Sequence, residues 1–179
     1  MKKIQKLSET LVSQIAAGEV IESPAAIIKE LVENSLDAGA DELDIRIAGD
    51  GFEEIQIRDN GHGILAEDLP LAVESFTTSK ISSLDELLSA ATMGFRGEAI
   101  PSIASISKFT LYTRVNTPEF LSEEGTLVMV DGGKVVNCSK VTCALGTTIE
   151  VKDLFFNVPV RKKFQKSPAF DAAEIQRIV

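Results

Sequence analysis

The chain has 179 residues, of which 44% are apolar and 25% charged. That is room for one domain with a single core, and the composition excludes disordered, collagen-like and low-complexity classes. The formal net charge of −9 excludes a whole-chain electrostatic clamp on nucleic acid, but residues 1–100 carry a net −11 and residues 101–179 a net +2.

The late basic excess lies in Arg161, Lys162, Lys163 and Lys166. That run reads either as a solvated helix start or as an end that touches phosphate. No apolar run reaches the roughly 18 residues of a bilayer span. No signal core follows Met1-Lys2-Lys3. Two cysteines, Cys138 and Cys143, make no disulfide framework and point to a reduced compartment, the cytoplasm.

Taken in chain order, residues 10–17 read as a short helix ending near Gly18. Ser23-Pro24 opens a stronger one, with Ser as N-cap and Pro at the first helical position. Ile27, Ile28, Leu31, Val32 and Leu36 form its predicted apolar stripe, and Gly39 sits at its C′ position. Leu43, Ile45 and Ile47, then Ile55 and Ile57, alternate with polar residues about Gly49-Asp50-Gly51, a hairpin with one buried face. Short helices are expected near residues 67–75, from a capping box at Ser83-Leu84-Asp85-Glu86, and over 98–106. Strands follow at 109–114, 126–130, 134–136 and 147–151, and a last helix at 171–179. The order predicts an α+β two-layer sandwich: helices on one face of a mixed, largely antiparallel sheet whose late strands form a meander.

Three constellations can carry chemistry. Glu30, Asn34 and Asp37 stand at i, i+4 and i+7 on one helix face, largely opposite the apolar stripe. A carboxylate there can take a proton from water, and a neutral Asn oxygen suits Mg²⁺; the plain alternative is a solvated polar face. Asp59-Asn60-Gly61-His62-Gly63 ends a strand. The Asp can accept a purine amino hydrogen and the glycines admit a flat ring, unless this is only a turn. Gly61, Gly63 and Ala66 also fit the loose dinucleotide fingerprint with Asp85 beyond. The helix opening Glu67-Asp68-Leu69-Pro70 suits phosphate badly. Finally, Thr77-Thr78-Ser79-Lys80 and Gly94-Phe95-Arg96-Gly97-Glu98-Ala99 read as a mobile surface loop or as a phosphate cradle with a movable lid between. Gly146-Thr147-Thr148 is a turn into a strand and says little alone. A nucleophilic triad fails, because the single histidine, His62, lies between glycines and the cysteines read as small apolar fillers.

Together and in this order, the stretches 30–38, 59–63, 94–99 and 146–148 resemble the four motifs of the GHKL ATPases, the superfamily of gyrase-type topoisomerases, heat-shock chaperones and histidine kinases. Gln14 to Ile21, Thr78-Ser79-Lys80-Ile81 and Asp153 to Phe164 are similar to the MutL family of DNA mismatch repair within it. The resemblance runs from about Ile4 to the end of the chain. It implies the Bergerat fold and binding of ATP with Mg²⁺. By the same resemblance Glu30 is the general base, Asn34 the Mg²⁺ ligand, and Asp59 the adenine acceptor supported by Thr147 through water. Asp37 and Gly61 join the ATP site, and Gly63 gives the ring room. Thr78, Ser79 and Lys80 with Gly94, Phe95, Arg96, Gly97, Glu98 and Ala99 form the ATP lid. Arg161, Lys162, Lys163 and Lys166 would give weak, non-specific DNA contact.

The family's role is that of a matchmaker between a mismatch-recognition protein and downstream repair enzymes, through an ATP-dependent homodimer. The other readings are a nucleotide-dependent interaction module without turnover and another GHKL ATPase, a chaperone or kinase. Departures are Ser23 where the family usually has Arg, and Phe156, Val158, Val160 and Lys162 where it has Tyr, Thr, Ala and Arg. The resemblance also implies that residues 1–179 are an incomplete ATPase domain. A second domain, which supplies a Lys to the γ-phosphate, and a dimerisation region would lie beyond it. Turnover by this chain alone is therefore expected to be very slow.

Overall fold

A computed structural model describes residues 5, 12, 15, 17–18, 21–74, 98–117, 119, 121, 123–163 and 168–178. Six strands form one sheet in the order β1-β2-β6-β3-β4-β5, over Leu43–Ala48, Glu54–Asp59, Lys108–Arg114, Gly125–Asp131, Lys134–Val141 and Gly146–Lys152 for β1 to β6. Every pairing among them is antiparallel, so the mixed character expected of the sheet is not found among the described strands. Helices are α1 (Pro24–Asp37), α2 (Leu69–Ala72), α3 (Ala99–Ser105), α4 (Pro159–Lys163) and α5 (Pro168–Ile178). The helix expected after Ser83 lies outside the described residues, as does most of that expected over 10–17.

Helix α1 begins and ends as its sequence dictates. Ser23 Oγ accepts from the Ala26 N–H at 3.3 Å, Pro24 fills the first turn, and Gly39 has φ +73°. Its buried face is not the expected one throughout. Ile27, Ile28, Leu31 and Ser35 point inward, whereas Leu36 is 58% exposed. Adding 4 to 27 and 31 leads to Ser35 rather than Leu36 on the stripe facing the sheet, and the sheet offers a polar partner there.

The sheet presents its apolar side in rungs. Ile55, Val151, Phe109 and Val130 stand side by side across β2, β6, β3 and β4, and Ile57, Ile149, Leu111 and Val128 form the next rung. All eight are buried against Ile27, Ile28 and Leu31 of α1 and Ile103 of α3 in one core. α5 packs along α1 through Ile175. The opposite sheet face is polar: Gln56 donates to Glu150 at 3.0 Å, and Lys152 bridges Glu150 and Glu54 at 3.0 and 3.2 Å.

The edges carry little cover. Leu43 and Ile47 of β1 are 36% and 38% exposed, so the hairpin's apolar face is only half used. β5 is exposed along nearly its whole length, Cys138 included, which corrects the reading of that cysteine as an apolar filler. The largest departure from the expected meander is β6. It does not continue from β5 but inserts between β2 and β3. Among the described residues no helix is long and apolar enough to cross a membrane.

Candidate nucleotide site

The third rung across the same face breaks the apolar pattern: Asp59, Thr147, Thr113 and Thr126. This rung lies at the end of the sheet where β2 finishes and β6 begins. Insertion of β6 is what brings Asp59 and Thr147 together. The two are direct partners in the ladder although 88 residues apart in sequence.

Asp59 is 8% exposed, and its carboxylate is held from three directions. The Gly61 N–H donates to Oδ1 at 3.0 Å, the Thr147 N–H donates to the same oxygen at 3.1 Å, and Ser35 Oγ donates to Oδ2 at 2.9 Å. Buried carboxylates are tolerated only when so bonded. A carboxylate offers about four lone-pair sites and is acceptor-only when ionised. After these three bonds it keeps capacity for one further donor, the requirement of an exocyclic amino group.

The loop after Asp59 is fastened on both sides. Asn60 Oδ1 accepts from the Asp41 and Glu42 N–H groups at 3.0 and 3.1 Å, and the His62 N–H donates to the Ala38 carbonyl at 3.0 Å. Asn116 N–H closes the other side on the His62 carbonyl, also at 3.0 Å. Gly63 has φ +74°, and a Cβ there would lie 2.7 Å from the Arg114 carbonyl oxygen. The close approach of β3's end requires that glycine, independently of any ring beside it. Gly146, at φ +90°, is required in the same way by the Asp59 carbonyl.

α1 leads its polar face to this end of the sheet, with Ser35 in its last turn touching Asp59. Glu30 and Asn34 are half-buried and Asp37 is exposed, each engaged in further polar contact. Glu30 and Asn34 flank the buried stripe, whereas Asp37 lies opposite it. Glu98 and Ala99 stand at the N-terminus of α3, whose other end leads into β3. Thr78, Ser79, Lys80, Gly94, Phe95, Arg96 and Gly97 lie outside the described residues. Among the described residues no group of three or more His, Cys, Asp and Glu side chains is gathered to hold a metal.

Of the basic run, Arg161 has a structural partner. Its guanidinium donates to the Ile21 carbonyl at 3.3 Å and fills the space beside Gly18. Lys162 and Lys163 lie in α4, and Lys166 lies outside the described residues. Ser35 and Thr113 were missed in the sequence. Both sit in phase with apolar stripes, and a polar residue on a buried stripe was the available signal.

Residues 21–127, more than half of the chain, match the family described as histidine kinase-, DNA gyrase B- and HSP90-like ATPase. The chain belongs to that family. Within it, relatives matched along nearly the whole chain include MutL proteins of DNA mismatch repair. That of Xylella fastidiosa (strain M23) is 50% identical over 173 residues, 97% of this chain and 27% of the relative. That of Xanthomonas campestris pv. campestris (strain B100) is 51% identical over the same shares. The chain thus spans about a quarter of the length of these relatives. Among solved structures, the Aquifex aeolicus MutL ATPase domain complexed with ADP is similar at TM-score 0.66 and 35% identity, over 89% of this chain and 54% of that one. The N-terminal domain of a DNA repair protein is similar at TM-score 0.73 and 30% identity, over 92% and 46%.

Proposed function

We propose that this chain binds ATP with Mg²⁺ and hydrolyses it slowly, as the ATPase part of a MutL-type mismatch repair protein. The observation that carries the reading is the buried Asp59 carboxylate, fixed by Gly61, Thr147 and Ser35 with one acceptor site in hand. That free acceptor fits the amino edge of adenine and disfavours a carbonyl at the same place. In this reading Asp37, Gly61 and Gly63 belong to the same nucleotide site. Mg²⁺ typically keeps several waters and takes only one or two protein oxygens. A lone Asn34 oxygen beside phosphate suits it, and the ion then supplies charge neutralisation on the phosphates. Glu30, one turn earlier on the same face, takes the proton from the attacking water. Thr78, Ser79 and Lys80, with the stretch 94–99, close over the phosphates and exclude water.

In the longer protein, ATP binding drives homodimerisation, and the dimer engages a mismatch-recognition protein and downstream repair enzymes. DNA contact through Arg161, Lys162, Lys163 and Lys166 is weak and non-specific, and the protein works in the cytoplasm.

Single-turnover hydrolysis of Mg-ATP by the wild-type chain and by Glu30→Ala tests the reading, with ATP affinity measured on both. The variant should keep affinity within about twofold and lose hydrolysis by at least about a hundredfold, the usual share of a general base. A wild-type chain that binds no ATP sinks the nucleotide reading. Equal hydrolysis by the two sinks the role of Glu30 alone.

A further inference from the structure

Thr113 lies in the polar rung on β3 and is 1% exposed. A valine would fill the same volume there, and the neighbouring rungs are apolar throughout. A buried hydroxyl persists where its hydrogen bonds repay the loss of water. Thr113 Oγ1 accepts from the Ile64 N–H at 2.8 Å and donates to the Gly146 carbonyl at 3.3 Å, with Thr147 Oγ1 at 3.5 Å.

These partners are not arbitrary. The Gly146 carbonyl and the Thr147 N–H belong to one peptide group, which is planar and stiff. Thr113 holds the oxygen end of that plane, and the nitrogen end donates to Asp59 Oδ1 at 3.1 Å. Any rotation of the plane that frees the oxygen also turns the N–H away from the carboxylate. The second grip, on Ile64, fixes the residue next to Gly63 and so the loop whose Gly61 N–H is the other donor to the same oxygen. One hydroxyl therefore ties together the two backbone segments that orient Asp59.

We infer that Thr113 is a positioning residue for the base-binding carboxylate: it touches no ligand and acts through the Gly146–Thr147 peptide and the Ile64 amide. The inference rests on the nucleotide reading given above and sharpens it. Its consequence is selective. Loss of the hydroxyl should blunt recognition of the base's amino group while sparing contacts to ribose and phosphate.

The test compares ADP with purine riboside 5′-diphosphate, the same nucleotide without the exocyclic amino group, by titration calorimetry. The wild-type chain should prefer ADP. Thr113→Val should lose about tenfold of ADP affinity, the usual scale for one misplaced buried hydrogen bond. It should change binding of the analogue by less than about twofold. Thr113→Ser, which keeps the hydroxyl, should retain the preference. A valine variant with the wild-type preference overturns the inference, as does equal loss for both nucleotides. A wild-type chain that binds neither removes the nucleotide reading itself. A wild-type chain that binds both equally removes the role of Asp59, and this inference with it. Should Thr113→Val fail to fold, amide exchange in the wild-type chain decides. ADP should slow exchange at Ile64 and Thr147 together, and slowing at neither overturns the inference.

Discussion

Ser35, in the last turn of α1, donates its hydroxyl proton to Asp59 at the end of β2, joining the helical layer to the sheet at 2.9 Å. The same hydroxyl lies 3.1 Å from the Leu31 carbonyl, and its single proton serves one acceptor at a time. Against a buried carboxylate the charged acceptor prevails. Ser35→Ala should therefore cost about 1.5–3 kcal/mol, the range for bonds to charged groups. Urea unfolding should show a lower midpoint with an unchanged slope. An unchanged midpoint means that the bond contributes nothing.

Asp59→Asn should separate folding from binding. The amide oxygen can still accept from Gly61 and Thr147, so the loop keeps its anchors. The amide nitrogen then stands where Oδ2 stood and presents donors to the base. Thermal unfolding should shift by only a few degrees, while ADP affinity should fall roughly tenfold to a hundredfold. Calorimetry reads the second quantity directly, and undiminished ADP affinity refutes the assignment of Asp59.

Two glycines with similar φ should behave very differently. Gly146→Ala places a Cβ against the Asp59 carbonyl and within 2.9 Å of Asn60 Cα, at φ +90°. Backbone strain and overpacking add, so a loss of about 3 kcal/mol or more is expected. Gly39, at φ +73°, has nothing within 4 Å of a built Cβ, and Gly39→Ala should cost only about 1 kcal/mol. Similar urea midpoints for the two variants would contradict the role given to the β2–β6 contact.

Arg161 should act on stability before it acts on DNA. Its bond to the Ile21 carbonyl links α4 to the segment that leads into α1. Arg161→Ala should lower the unfolding free energy by about 1 kcal/mol or more. Binding of a duplex to the wild-type chain, followed by fluorescence anisotropy, should fade as salt rises from about 50 to 200 mM. Loss of DNA binding without loss of stability would move Arg161 back to the phosphate role.

The two thiols should be distinguishable chemically. Cys138 is exposed on the β5 edge, whereas burial pushes the half-buried Cys143 thiol above its ordinary value, the Arg114 charge opposing this only in part. A raised thiol holds less thiolate at a given pH, and the thiolate is the reactive form. At about pH 8 a disulfide reagent should modify Cys138 first and Cys143 faster only on unfolding. Equal native rates contradict that difference.

Much of this was legible locally. Ser23-Pro24 and Gly39 bracket α1 because caps depend on neighbours in sequence. The alternation in β2 and β6 is likewise visible in the sequence, and β6 extends one residue beyond each expected end. What local pattern cannot convey is which strand lies beside which. β6 carries the same alternation as a meander strand would, and its place between β2 and β3 is set by distant partners. Leu36 departs from the expected stripe for a related reason: the helix turns Ser35, not Leu36, towards the sheet, where Asp59 accepts its hydroxyl. For the site, Asp59, Gly61 and Thr147 are brought together, whereas Thr78, Ser79, Lys80 and residues 94–97 lie outside the described residues.

The central place of β6 also sets an order in time. β2 and β3 are complete once residue 114 has been made, yet neither pairs with the other; each waits for residues 146–152. Closing so long a loop is entropically costly, and non-local pairing of this kind slows folding. Until β6 arrives, both facing strand edges stand unpaired, a template for wrong partners. The carboxylate of Asp59 meanwhile lacks the Thr147 amide. On the ribosome the pocket is therefore among the last features of this chain to exist, and the strand that finishes the sheet is the one that creates it.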